Sequence, residues 1–232
     1  MGGLPEVREL PWEYKAVFSP IDVIEEYIRP ARALENGKVV TFPALSDREL
    51  LEYPDVGVLE AFNTDGLRTL IQTIDSANMR EKTLRYPGHA ERMEVLRESG
   101  FFSTRPIEID GRPVRPIDLT SRLLFPMWQL DEGEADLTVL KIQITGRRGG
   151  QQVRHVYDLL DRYDPETRTT SMARTTGYAA TAAARLLLNG IYTHKGISPP
   201  EYVGRETGCI ELILDELRDR GVIYHHSTET IE

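Results

Sequence analysis

ADLTVLKIQITGRRGGQQVRHVYDLLDRYD, residues 135–164, decides the architecture. On either side of Gly149-Gly150 apolar and polar residues alternate with a period of two, so each arm sets one face against a core and the other in water. Paired glycines between such arms supply the positive φ values of a tight hairpin turn. The stretch predicts two long antiparallel strands. Its GRRGG centre resembles a phosphate loop in composition alone, because it lacks the Lys-Ser/Thr ending and sits in a hairpin.

Outward from this hairpin, strands and helices alternate. Downstream, SMARTTGYAATAAARLLLNG (171–190) reads as a polar strand end running into an alanine-rich helix that stops at Asn189-Gly190. A second helix is expected over 205–219, then a short strand. Upstream, Ser19-Pro20-Ile21-Asp22 has the form of a capping box with proline at the first helical position, predicting a helix over 21–28 that stops before Pro30. ARALENGKVVTF (31–42) is a hairpin about Asn36-Gly37. VGVLEAF (56–62) is a strand and LRTLIQTI (67–74) has helical spacing. KTLRYP (82–87) is a strand and 89–98 a helix closed by Gly100. TRPIEIDGRPVRPIDLTSRLL (104–124) reads as a Pro/Arg-rich connector. The mixture gives an α+β fold with a largely antiparallel sheet and helices packed on one face, in a single domain over 1–232. Within it, 200–232 forms a closing helix and strand.

Composition narrows the function classes. The 232 residues carry a formal charge of -9, which argues against a general nucleic-acid or anionic-membrane surface and for a small partner. No apolar run approaches the ~20 residues of a membrane span, and the first fifteen residues lack the apolar centre of a signal peptide. A cytoplasmic protein is expected. The one cysteine, Cys209, excludes an intramolecular disulfide and lies in an apolar setting that reads as a buried thiol. His225-His226 has no metal-ligand spacing around it, and no metal is expected.

Three polar segments stand where a strand is expected to run into a helix: Phe62-Asn63-Thr64-Asp65-Gly66, Leu84-Arg85-Tyr86-Pro87-Gly88-His89 and Ala173-Arg174-Thr175-Thr176-Gly177-Tyr178. Free amides at helix starts beside arginine suit a carboxylate or phosphate, and together the segments suggest an anion-recognising cleft. The plainer reading makes the same residues caps and turns. Arg85 and Arg174 each offer a forked carboxylate contact or a structural ion pair. His89 suits proton transfer near neutral pH, or a helix cap. Tyr86 and Tyr178 line a pocket or pack.

EAFNTDGLRTL, KTLRYPGHAERMEVLRESGFF and SMARTTGYAATAAARLLLNG, in that order, resemble the substrate domain of saccharopine dehydrogenase-like enzymes, nearest to the lysine 6-dehydrogenase branch. GGLP followed by YKAVFSPIDVIEEYIRPAR resembles the segment just after their nucleotide-binding half. The resemblance implies an NAD(P)-binding Rossmann domain beside an inserted α+β domain that gives dimer contacts and part of the amino-acid site. It implies oxidation of the side-chain amine of L-lysine, or interconversion of saccharopine, with hydride passing to or from NAD or NADP.

Carried onto this chain, the substrate-binding residues are Asn63, Thr64, Asp65, Arg85, Tyr86, Arg174, Thr175 and Thr176. Arg85 or Arg174 would hold the substrate carboxylate and Asp65 an ammonium. His89 is the catalytic candidate, and Gly2 and Gly3 are a junction-only cofactor contact within residues 1–15. The sequence departs from the family in lacking the glycine fingerprint and acidic ribose partner of a dinucleotide site. The chain alone is thus expected to be inactive, to bind no dinucleotide tightly, and to work with a Rossmann domain in cis or in trans, as a homodimer. The competing reading is a non-catalytic amino-acid-binding or oligomerisation module.

Overall fold

The computed structural model describes residues 1–16 and 19–231. Val17 and Phe18, inside the stretch that carries part of the family resemblance, lie outside the described residues. Where the sequence suggests one domain, two compact units are found: Leu4–Glu134, and Met1–Gly3 with Ala135–Glu232. The fold class is α+β, and the strand pairs whose register is defined are antiparallel. No helix among the described residues is long and apolar enough to cross a membrane.

The chain opens with β1 (Gly2–Pro5). In the unit Leu4–Glu134, α1 (Pro20–Ile28) starts at the expected proline and turns Val23, Ile24 and Tyr27 inward, a 3–4 residue spacing that makes one buried stripe. It stops at Arg29, whose extended backbone is what the residue before Pro30 requires. The expected capping box is not made. Ser19 forms no side-chain cap, and Asp22 N–H donates instead to the Ser19 carbonyl at 3.0 Å.

β2 (Ala31–Glu35) and β3 (Lys38–Phe42) form the predicted hairpin, with Asn36 and Gly37 both at positive φ. β4 (Glu49–Tyr53), β5 (Gly57–Asn63) and β6 (Lys82–Arg85) form a three-stranded antiparallel sheet. The helix expected over 67–74 shrinks to the single turn α2 (Leu70–Thr73). It buries none of its residues, so no tertiary contact offsets the cost of nucleating a longer one.

α3 (His89–Glu98) keeps its predicted bounds and ends before Gly100, at φ 85°. The stretch read as a connector holds a hairpin, β7 (Ile107–Ile109) with β8 (Arg112–Val114), and the thirteen-residue helix α4 (Pro116–Trp128). Proline does not prevent the helix, because Pro116 sits in the first helical turn, where a missing N–H costs nothing. α4 buries Ile117, Thr120, Leu124 and Trp128. Ile117, Leu124 and Trp128 join Tyr14, Tyr27, Phe62, Met93 and Phe102 in the core of this unit.

In the second unit β9 (Asp136–Arg148) and β10 (Gln151–Arg162) pair from Leu137↔Arg162 to Arg148↔Gln151 about the two glycines, as the quoted stretch predicts. The turn reading of GRRGG thereby holds. α5 (Ser171–Leu188) begins at Ser171, so Arg174, Thr175 and Thr176 lie within a helix and not in a strand-to-helix turn. The reason lies far away in sequence: the Asp136 carboxylate on β9 accepts the Ser171 and Met172 N–H groups at 2.6 and 3.1 Å and fixes the helix start.

α6 (Pro200–Val203) and α7 (Cys209–Arg218) follow, shorter than the helix expected over 205–219, because Gly208 takes a left-handed conformation just before Cys209. β11 (His225–Ile231) completes a sheet of order β1-β9-β10-β11. α5 packs on the sheet and on α7, around Leu159, Leu217 and Val222. Cys209 is buried as expected.

Candidate functional site

The end of β6 carries Arg85 into the interior of the unit Leu4–Glu134, where it is 4% exposed. Its Nη1 donates to the Leu84 carbonyl at 2.9 Å and its Nη2 to Glu26 Oε2 at 3.2 Å. Its Nε is buried without a partner among the described residues. The guanidinium carbon stands 4.9 Å from the centre of the Tyr14 ring, a cation–π arrangement in a desolvated place. Glu26 comes from α1 and is held up from the usual carboxylate range by burial, against the pull of Arg85.

Pro87-Gly88 turns the chain, and Gly88, at φ 87°, precedes the first residue of α3, His89. That ring is fully buried. Its Nδ1 lies 3.1 Å from the Trp12 carbonyl, which can only accept, so Nδ1 carries the proton and Nε2 accepts from the Tyr27 hydroxyl at 2.9 Å. Burial first, and the Arg85 charge second, lower its pKa to about 3, leaving the imidazole neutral at pH 7. With both nitrogens engaged, His89 ties the loop before α1, α1 itself and α3 into one body. Burial also pushes Tyr27 up to about 12 and Tyr14 well above the ordinary phenol range. Tyr86 donates to the Pro5 carbonyl at 2.8 Å.

The Asn63-Thr64-Asp65 turn serves its own neighbourhood. Asn63 Nδ2 donates to Ser46 Oγ at 3.1 Å, and Thr64 Oγ1 donates to Glu81 at 2.7 Å. Asp65 accepts a fork from Arg32 at 2.8 and 2.9 Å, which holds its carboxyl below the usual range and leaves it already paired.

Arg174 belongs to the other unit. Its Nε and Nη2 reach Asp161, its Nη1 reaches Asp164 at 3.1 Å, and its Nη2 also donates to the Arg220 carbonyl at 3.1 Å. Thr175 Oγ1 donates to the Ser171 carbonyl, one helical turn back. Among the described residues, Thr176 Oγ1 reaches Met172 Sδ, at 3.5 Å. Gly2 and Gly3 are buried in β1, and GRRGG is a hairpin turn. Neither glycine pair opens a helix, so neither offers the amide cradle that a pyrophosphate needs. Among the described residues, these two glycine pairs form no dinucleotide cradle.

Within one unit, then, the structure brings Arg85 and His89 together with three residues that the sequence did not single out, Tyr14, Glu26 and Tyr27. The only signals for them were the aromatic run in LPWEYK and the inward stripe of α1. The saccharopine dehydrogenase C-terminal domain model matches residues 1–222. The chain belongs to this family. Among relatives of the saccharopine dehydrogenase C-terminal domain, the saccharopine dehydrogenase [NADP(+), L-glutamate-forming] of Schizosaccharomyces pombe is 31% identical over 107 residues, 45% of this chain and 23% of the relative. The apo saccharopine dehydrogenase (L-Glu forming) of Saccharomyces cerevisiae superposes with a TM-score of 0.75 over 98% of this chain and 65% of its own, at 18% identity. That second likeness concerns the fold. The chain spans less than a quarter of the curated relative and under two thirds of the solved one.

Proposed function

We propose that this chain is the substrate-binding part of an NAD(P)-dependent amino-acid dehydrogenase that oxidises the side-chain amine of L-lysine or interconverts saccharopine. Membership of the family and the pairing of Arg85 with Glu26 support this reading. A buried guanidinium with an unused N–H, beside a carboxylate whose side chain is 31% exposed, offers an amino acid one group for its carboxylate and one for its ammonium. Glu26 takes the ammonium-binding role here, because Asp65 is committed to Arg32. His89 is a positioning residue: neutral and doubly bonded, it fixes Tyr27 and the Trp12 backbone around Arg85. Arg174, Thr175 and Thr176 anchor α5.

A nicotinamide cofactor, held by a partner domain, would supply the hydride chemistry, while these side chains bind and orient the amine carbon. The test is steady-state kinetics of the chain joined to a dinucleotide-binding domain. Arg85→Lys keeps the charge but loses the planar fork, and is expected to raise KM for the amino acid by about a hundredfold at unchanged Tm. An unchanged KM would remove Arg85 from the site.

A further inference from the structure

We propose that His155, His226 and Thr228, on the paired strands β10 and β11, bind a divalent transition-metal ion. The register sets His155 opposite Thr228 and Tyr157 opposite His226. Side chains two apart on a strand share a face, so all four stand on one side of the sheet and His225 points to the other. Sequence alone shows no ligand near His225-His226. Strand pairing supplies His155 from 71 positions upstream of His226.

Three donor atoms converge there. His155 Nδ1 lies 3.1 Å from His226 Nε2, and Thr228 Oγ1 lies 3.0 Å from the first and 3.4 Å from the second. Hydrogen bonds serve this triangle poorly. A ring nitrogen carries either a proton or a lone pair, so two nitrogens and one hydroxyl satisfy two of the three contacts unless a proton or a lone pair is shared. One cation takes a lone pair from all three. Ligands about 2.1 Å from a zinc-sized ion, at angles of about 90–110°, stand about 3.0–3.4 Å apart, the range of the three separations.

The neighbours hold this geometry in place. The Tyr157 ring stacks on His226 with centroids 4.2 Å apart and the two imidazoles stack at 5.3 Å, so a metal has little ordering left to impose. β9 sets Ile142 opposite Tyr157 and Ile144 opposite His155, which bring no competing positive charge. His226 and Thr228 are exposed, leaving water the remaining coordination position. Imidazole donors select the zinc, copper and nickel class over magnesium and calcium, which take oxygen. Among the described residues no third histidine, cysteine or carboxylate joins the pair, so binding is expected to be far weaker than at a four-ligand structural site.

The probe is Zn²⁺, titrated by isothermal calorimetry into the whole chain without an affinity tag. One saturable site with a Kd of about 10 μM is expected. His155→Ala and His226→Ala should each weaken it about tenfold or more, and Thr228→Val about threefold, with circular dichroism checking that each variant keeps its fold. His225→Ala, one position away on the opposite face, should change nothing. Mg²⁺ should give no binding. No saturable Zn²⁺ binding, wild-type affinity in any of the three site variants, or a loss in His225→Ala equal to that in His226→Ala would each overturn the proposal. The three donors lie in the unit that holds Ala135–Glu232 and Arg85 in Leu4–Glu134, so Arg85→Lys should leave Zn²⁺ binding unchanged and the two tests stay separate.

Discussion

Arg85 and Arg174 look alike in sequence and differ in the structure. Both are buried, and both were read as forks for a carboxylate. Arg174 spends its fork on Asp161, Asp164 and the Arg220 carbonyl, all within its own unit. Arg85 meets one carboxylate through one nitrogen and leaves its Nε bare. A filled fork holds a fold together; the Arg85 fork keeps one N–H in hand, which the proposed function assigns to the substrate carboxylate. This contrast separates the two roles without reference to any relative.

The largest expected effect tests the full fork. Arg174→Met strands Asp161, whose side chain is 4% exposed, and removing one partner of a buried pair costs about 3–5 kcal/mol. Arg85→Met strands Glu26, which is partly exposed and already raised toward protonation, so its cost is expected to be smaller by about 2 kcal/mol. Urea unfolding followed by circular dichroism reads both. Equal losses would erase the distinction.

The next effect belongs to His89, which has no counterpart beside Arg174. Its pKa is about 3 in the folded state against 6.5 for the free side chain, so between those values the unfolded chain binds the extra proton. Stability from this residue is complete above pH 6.5 and falls as pH drops toward 3, by at most ~1.4 kcal/mol per pH unit. Between pH 6.5 and 5 the loss should approach ~2 kcal/mol. His89→Gln should lose this slope, as measured by urea titrations across that window. A slope equal to that of the wild type would show that the proton goes elsewhere.

What the sequence made legible was local. Asn36-Gly37 and Gly149-Gly150 carry their turn geometry in two residues each, and both hairpins stand where expected. Gly88 and Gly100 bracket α3 in the same way. The start of α5 was not legible, because Thr175, Thr176 and Gly177 are weak helix formers and the decisive cap, Asp136, lies thirty-five residues upstream. In 104–124 the Pro/Arg-rich composition reads as a connector, while the same prolines are compatible with a hairpin and a helix start. The candidate site was half visible. Arg85 and His89 stood in a suggestive motif, but Tyr14, Glu26 and Tyr27 reach them only through packing across 59 to 75 positions.

The smallest effect compares the two helix starts. Thr170 caps α5 by accepting the Ala173 N–H at 3.3 Å, whereas Ser19 makes no such bond at α1, even though its sequence has the form of a capping box. Pro20 has no N–H to satisfy, and Asp22 N–H already has the Ser19 carbonyl, so the Ser19 hydroxyl has little to add. Thr170→Ala should cost about 1 kcal/mol and Ser19→Ala less than about 0.5 kcal/mol in the same urea titration. If Ser19→Ala were to cost as much as Thr170→Ala, the serine would be capping in solution, and the start of α1 would owe less to its proline than the structure implies.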